Sequence, residues 1–298
     1  MEDFRGKTAF ITGGAAGIGL AMAREFLKAG AQVAIADIRE DALEKAVKSL
    51  AGGANLRAVR LDVTDRSSWS RVTANIGKVH ILFANAGIFI GGPTQDATFD
   101  DWDFCLGVNL GGVVNAVRSF VPHMIAQAEG GHIVLTSSIN GLFASGAVGP
   151  YTASKFAVTG IGECLRMNLA PHGIGVSILC PGPVASDLFE STPAVRPKSL
   201  SDTGAHLVKT DERDPVSQEI FAGAMSTDEV GRKVMQGIRR NDLYIITHTE
   251  IRDVLEARMK ALLAALPAEP VPPARAKSAR VLYDVPVYQE QSAKSAPL

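Results

Sequence analysis

The chain has few cysteines and almost no net charge. Cys105, Cys164 and Cys180 are an odd number in 298 residues, widely spaced, with no Cys-x-x-Cys pair and no neighbouring histidine cluster. That pattern builds neither a disulfide framework nor a zinc site, and it reads as buried thiols in a reducing compartment. A net charge of −1 gives no field that would favour nucleic acid or an anionic membrane. The opening Met1-Glu-Asp-Phe-Arg-Gly-Lys7 lacks an apolar signal core, and no long uncharged apolar run reads as a bilayer span. No internal repeat is visible. These absences leave a soluble enzyme as the expectation, cytoplasmic, with a small-molecule substrate, no metal, and no nucleic-acid or membrane partner.

What is present is alternation. Runs rich in β-branched and aromatic residues predict strands near 7–12, 32–37, 56–61, 79–84, 131–137, 174–180 and 243–246. Helical patterns lie between them, among them Leu20 to Lys28, Asp41 to Leu50, Trp102 to Ala126, Tyr151 to Ala170 and Thr227 to Arg240. Alternation of this kind predicts an α/β fold, a parallel sheet of about seven strands with helices on both faces. Ligands in such sheets bind at the carboxyl ends of the strands. Asp37, Asp62, Asn85, Ser138 and Pro181 all fall at or just past such ends. A length of 298 residues is within what one such sheet can organise around a single core.

The first strand runs into Gly13-Gly14-Ala15-Ala16-Gly17-Ile18-Gly19 and then a helical pattern. Strand, tight turn and helix is the context in which backbone N–H groups and a helix N-terminus face a diphosphate. The second strand ends in Asp37, eighteen residues after Gly19. That carboxylate suits an adenine-ribose diol, or it caps the helix starting near Glu40, or both. Tyr151 and Lys155 stand four apart on a helical pattern, so they share a face, and Ser138 lies thirteen residues upstream. Asn109 sits in Val-Asn-Leu-Gly-Gly-Val inside another helical pattern, where each glycine costs roughly 1 kcal/mol against alanine. Either close packing of another backbone or a distorted turn at Asn109 explains such a placement.

With these motifs in order, the chain resembles the short-chain dehydrogenase/reductase family from about Lys7 to Ile246. The carriers are Thr12-Gly13 with Gly17 and Gly19, Asp62 in Leu-Asp-Val, Asn85-Ala86-Gly87, Asn109, Ser138, Tyr151 with Lys155, and Pro181-Gly182. Ala84 replaces a common second asparagine, and Ser186 replaces a threonine that touches the nicotinamide carboxamide, keeping its hydroxyl. The resemblance implies a Rossmann-type, doubly wound sheet binding NAD. Gly13, Ala16, Gly17, Ile18 and Gly19 would face the diphosphate, with Asp37 at the ribose. Asp62 and Val63 would hold the adenine. Asn85, Ala86 and Gly87 would line the adenosine ribose and bridge, although Asn85 alternatively serves only the central strand. Pro181, Gly182, Val184 and Ser186 would sit at the nicotinamide end.

Tyr151 would be the general base, Ser138 would hold the substrate oxygen, and Lys155 would bond the nicotinamide ribose. The ammonium and an oxidised nicotinamide are expected to pull the phenol pKa, ordinarily near ~10, towards working pH. Asn109 would hold a water leading from Lys155 to solvent. The family's helix pair, here Trp102 to Ala126 and Tyr151 to Ala170, implies a homodimer or homotetramer.

Residues 1–248 are expected to form the catalytic domain and 249–298 a helical and tail extension. The polar, proline-punctuated stretch 183–224 reads as a substrate lid with Leu188, Phe189 and Phe221 beneath it. Thr249 to Leu266 reads as an amphipathic helix. The remaining tail reads as disordered or, through Val281 to Tyr288, docked. Ile88, Phe89, Ile90, Leu142, Phe143, Leu188 and Phe189 either line an apolar pocket or are core. The sequence is also similar to bacterial dehydrogenases that oxidise the benzylic alcohol of lignin-derived aryl ethers. An NAD-dependent secondary-alcohol oxidoreductase is therefore expected. The alternatives are an epimerase or dehydratase of the same superfamily and a catalytically silent nucleotide-binding scaffold.

Overall fold

The protein is described by a computed structural model covering residues 1–200, 219 and 222–294, with the backbone alone for 280–282. It forms two compact units, Met1–His248 and Thr249–Leu298. In the first unit, β1 (Thr8–Thr12), β2 (Gln32–Asp37), β3 (Leu56–Arg60), β4 (Ile81–Ala84), β5 (Gly131–Thr136) and β6 (Ile174–Cys180) alternate with helices. These are α1 (Gly17–Lys28), α2 (Glu40–Leu50), α3 (Arg66–Ile76), α4 (Phe99–Leu106), α5 (Gly112–Gln127) and α6 (Gly149–Leu169). Two short strands, β7 (Val184–Ala185) and β8 (Met225–Ser226), pair with each other, and α7 (Leu188–Val195) lies between them in sequence. Helix α8 (Thr227–Arg240) and β9 (Tyr244–Ile246) complete the unit.

Seven strands form one parallel sheet in the order β3-β2-β1-β4-β5-β6-β9, the Rossmann-type architecture expected. Because side chains alternate across a strand, neighbouring residues serve opposite cores. On β1, Ala9 and Ile11 join Met22 and Phe26 of α1 and Val230, Val234 and Ile238 of α8. Phe10, between them, packs with Trp69 of α3, Phe120 of α5 and Val158 of α6 on the other face. Phe10, Trp69 and Phe120 are each no more than 2% exposed. Burying a side chain of this size stabilises by about 2–3 kcal/mol.

The expected single helix from Trp102 to Ala126 is interrupted. Between α4 and α5 the residues Gly107–Gly111 form a π-helical turn that contains Asn109. A distorted turn is therefore present, and close packing is present too: a Cβ on Gly112 would lie 2.7 Å from Val63 Cγ2, a side chain rather than another backbone. By length and composition the composite helix Phe99–Gln127 qualifies as a bilayer span, which the sequence reading did not anticipate. Half of its apolar window is buried inside the fold.

The second unit is more regular than expected, with α9 (Arg252–Ala264), α10 (Pro273–Leu282) and α11 (Pro286–Ser292). No residue of α9 is buried, and Met259, Leu262 and Leu263 are exposed. Cys105 and Cys180 are buried, but Cys164 is exposed on α6, against the expectation of three buried thiols.

Candidate active site

The carboxyl ends of the central strands open into a cleft of about 330 Å³. Gly13 (φ +62°) and Gly17 (φ +51°) occupy the left-handed region that glycine reaches without strain. The turn is also tight: a Cβ on Gly19 would meet Gly13 O at 2.0 Å. Ala16 caps α1 with no side-chain bond, leaving the first N–H groups of the helix for a bound anion. Gly13, Ala16, Gly17, Ile18 and Gly19 all line the cleft.

Asn85 and Thr12 hold the floor. The N–H groups of Asn85 and Ala86 both donate to Thr12 Oγ1, at 2.9 and 3.0 Å. Asn85 Nδ2 donates to Thr12 O at 3.0 Å, and Thr136 Oγ1 donates to Asn85 Oδ1 at 3.1 Å. Asn85 thus ties the central strands together, as one of its two readings held, while Asn85, Ala86 and Gly87 also line the cleft.

Asp37, at the wall, is 7% exposed and accepts from Arg39 N at 3.1 Å. It is not the cap of α2, whose N-cap position is Arg39. The Arg39 side chain folds onto Asp37 (Nε to Oδ1, 3.2 Å) and reaches Asp187 Oδ2 at 3.0 Å. Asp62 lines the cleft while accepting from Thr64 N and Oγ1. Val63 also lines it, with its carbonyl bound to Trp69 Nε1 and Asn115 Nδ2.

Tyr151 enters on the first turn of α6 beside Pro150, a residue suited to a position whose N–H has no helical partner. Four residues on, Lys155 Nζ lies 5.4 Å from the Tyr151 ring centre and donates to Thr136 O at 2.9 Å. The Ser138 hydroxyl is near enough to the phenol to favour its ionised form. It also accepts from Asn140 N and donates to Pro181 O at 3.4 Å, so it ties the end of β5 to the turn after β6. Asn109 Oδ1 accepts from Ile88 N at 2.8 Å, and Nδ2 donates to Ile88 O and to Ser154 Oγ. Its side chain lies behind Gly87: a Cβ there would meet Asn109 Oδ1 at 3.2 Å and Lys155 Nζ at 3.5 Å.

The titration of this cluster departs from expectation. Burial pushes the Tyr151 phenol up to about 12, only partly opposed by the Ser138 hydroxyl. Burial likewise pushes the Lys155 ammonium down to about 8. Each charged form loses water on burial, and that loss is the largest influence on either group.

Pro181 and Ser186 line the cleft, whereas Gly182 and Val184 do not. Val184 turns its side chain into the core, because pairing with Met225 in the β7–β8 ribbon fixes which way it faces. Ser138 and Asn109 also stand behind the cleft wall. Above Tyr151 lies an aromatic group: Phe89 is 5.0 Å from the Tyr151 ring centre and 4.7 Å from that of Phe189. Thr192 Oγ1 accepts from Phe89 N at 3.0 Å, joining α7 to this wall. Arg196, just past α7, pairs with buried Asp101 at 2.8 Å. Ile88 and Leu188 line the cleft, while Ile90 is core. Phe221 lies outside the described residues. Sequence reasoning missed Thr136, Asp187 and Phe104 at this site; only Asp187 carried a signal, its charge beside a motif.

Fold and cleft together define a nucleotide-binding α/β protein with a Ser-Tyr-Lys cluster at the mouth of its sheet. The family described as short chain dehydrogenase matches residues 7–196. The chain belongs to the short-chain dehydrogenase/reductase family of oxidoreductases. It is 38% identical over 269 residues to a C alpha-dehydrogenase of Sphingobium sp. (strain NBRC 103272 / SYK-6), covering 88% of this chain and 87% of that one. A short chain dehydrogenase/reductase from Burkholderia phymatum, solved in complex with NAD, superposes with a TM-score of 0.80 at 32% identity, covering 91% of this chain and all of that one. The apo form of LigD from Sphingobium sp. strain SYK-6 gives a TM-score of 0.74 at 33% identity, over 90% of this chain and all of that one.

Proposed function

We propose that the protein is an NAD-dependent oxidoreductase that interconverts a secondary alcohol and its ketone, on an apolar or aromatic substrate. The observation that carries this reading is the phenol of Tyr151 at the cleft with the Lys155 ammonium 5.4 Å from its ring centre and the Ser138 hydroxyl near enough to favour its ionised form. When bound, the nicotinamide ring supplies the hydride acceptor or donor. Tyr151 Oη takes the hydroxyl proton during oxidation and returns one during reduction. Ser138 Oγ bonds the substrate oxygen and stabilises negative charge on it. Lys155 Nζ, anchored on Thr136 O, holds the nicotinamide ribose. Asn109 fixes the Gly87–Ile88 backbone and places the water through which the proton leaves.

Cationic nicotinamide favours the phenolate and offsets the burial that raises Tyr151. Asp37 opposes a 2′-phosphate, and Arg39, neutralised by Asp37 and Asp187, supplies no spare cation, so NAD is preferred to NADP. Ile88 and Leu188 in the cleft lining, with Phe89 packed between Tyr151 and Phe189 beside it, favour an aromatic substrate. The benzylic alcohols of aryl ethers fit that wall, and the C alpha-dehydrogenase relative supports dehydrogenase chemistry. Residues 1–248 are assigned as the catalytic domain; of the expected lid 183–224, residues 201–218, 220 and 221 lie outside the described residues. The protein works in the cytoplasm as a homodimer or homotetramer.

The test is reduction of NAD with a panel of aromatic and alicyclic secondary alcohols. Turnover on aryl carbinols above alicyclic ones supports the reading. Stoichiometric NAD binding without turnover on any alcohol would replace it with a silent scaffold.

A further inference from the structure

The turn Pro181-Gly182-Pro183 carries a single backbone N–H, because proline has none. That N–H, on Gly182, donates to Nδ1 of His248 at 3.1 Å. His248 follows β9, 66 residues later in the chain, and is buried at 5% exposure. Its other nitrogen, Nε2, donates to Pro183 O at 3.0 Å, a carbonyl that also accepts from Met225 N of β8. Thr247 Oγ1 lies 2.6 Å from the same Nδ1. The imidazole lies flat against Gly182, where a Cβ would be 2.8 Å from the ring's Cγ. One ring therefore satisfies both polar backbone groups of the turn that face it and forbids any side chain between.

The far side of the same turn faces the reaction. Pro181 O accepts from Ile139 N at 2.9 Å and from the Ser138 hydroxyl. Pro181 and Ser186 line the cleft on either side of the turn's exit. A shift of the turn would thus move Ser138, Pro181 and Ser186 together, while Gly13 to Gly19, Asp37 and Asp62 are held by β1, β2 and β3.

We propose that His248 is a positioning residue for the nicotinamide half of the cleft, acting through Gly182 and Pro183 on Ser138 and Ser186. The proposal rests on the NAD reading above. His248→Phe keeps the ring and its packing on Gly182 but removes both hydrogen bonds. His248→Asn places an amide oxygen near Nδ1 and restores the acceptor for Gly182 N–H.

The experiment measures binding of NAD and of ADP-ribose, which lacks the nicotinamide, by calorimetry, together with kcat on the best alcohol. In His248→Phe the Kd for NAD should rise and kcat fall, each about tenfold for two lost hydrogen bonds, while ADP-ribose affinity stays within about twofold. His248→Asn should recover part of both losses. Equal weakening of NAD and ADP-ribose, or no change in either, overturns the proposal by making His248 merely structural or dispensable. If His248→Phe does not fold, the ratio of NAD to ADP-ribose affinity in His248→Asn and His248→Gln decides by the same criterion. Wild-type protein that binds neither compound overturns the cofactor reading itself, and the proposal with it.

Discussion

Tyr151 and Lys155 are ionisable groups held where neither ion is well solvated. Tyr151→Phe removes the proposed proton acceptor and keeps the ring, so NAD should still bind while kcat falls by roughly 10² to 10⁴. A variant retaining a tenth or more of wild-type turnover across pH would end the phenolate mechanism. Lys155 makes a second prediction, about stability. Its ammonium is pushed from 10.5 to about 8 by burial, so between those values the unfolded chain holds more protons than the native one. Stability therefore rises with pH from about 8 to about 10.5, and below that window the cost is present in full, about 3 kcal/mol. Tyr151, raised from 10 to about 12, acts oppositely and at higher pH: the native state keeps its proton longer, and stability falls through that interval. Lys155→Met should consequently melt above wild type at pH 7, by about 1–2 kcal/mol after loss of the bond to Thr136 O, while losing turnover. Thermal denaturation of the cofactor-free proteins should show the gap closing from pH 8 to 10.5; a gap independent of pH would mean that the ammonium is not desolvated.

Elements set what those residues can reach. Asp37 ends β2 inside the cleft wall, and like charges about 4 Å apart repel by about 1–4 kcal/mol between bulk water and a protein surface. NAD should accordingly exceed NADP in kcat/KM by at least about tenfold, and Asp37→Ala should narrow that ratio. Equal or better wild-type activity with NADP would show that Arg39 leaves Asp37 and Asp187 to bind the phosphate. Helix α7 brings Phe189 against Phe89 and Leu188 into the cleft. Truncating Leu188 and Phe189 to alanine should raise KM several-fold more for bulky aryl alcohols than for small ones, since each removes about 1–3 kcal/mol of apolar contact. A uniform change across substrate sizes would make α7 a structural strut.

At the scale of the whole molecule, the chain divides into two compact units, 1–248 and 249–298. Helices α5 and α6, which cover one face of the sheet, correspond to the pair through which the family resemblance implies a symmetric interface. Sedimentation at micromolar concentration should give at least a dimer, and a monomer alone would reject the assembly.

The sequence by itself determined the elements whose signals are local. Strand β2 and helix α8 have the expected limits, 32–37 and Thr227–Arg240, because a short continuous apolar run and a period-3.6 pattern are written in adjacent residues. The Tyr151–Lys155 pair was legible for the same reason, as was the glycine turn. Tertiary structure decided what depends on distant partners. Strand order, not spacing, carries Ser138, Asn109 and Gly87 to Tyr151. The π turn at Asn109 accompanies bonds to Ile88 and Ser154, 21 and 45 positions away, which helix propensity cannot foresee. Two-residue strands β7 and β8 have no period to read, yet their pairing turns Val184 into the core and away from the expected cleft wall. The pKa directions of Tyr151 and Lys155 were unreadable for a deeper reason: neighbouring charge is visible in a sequence, but the loss of water around it is created only when remote segments close over the site.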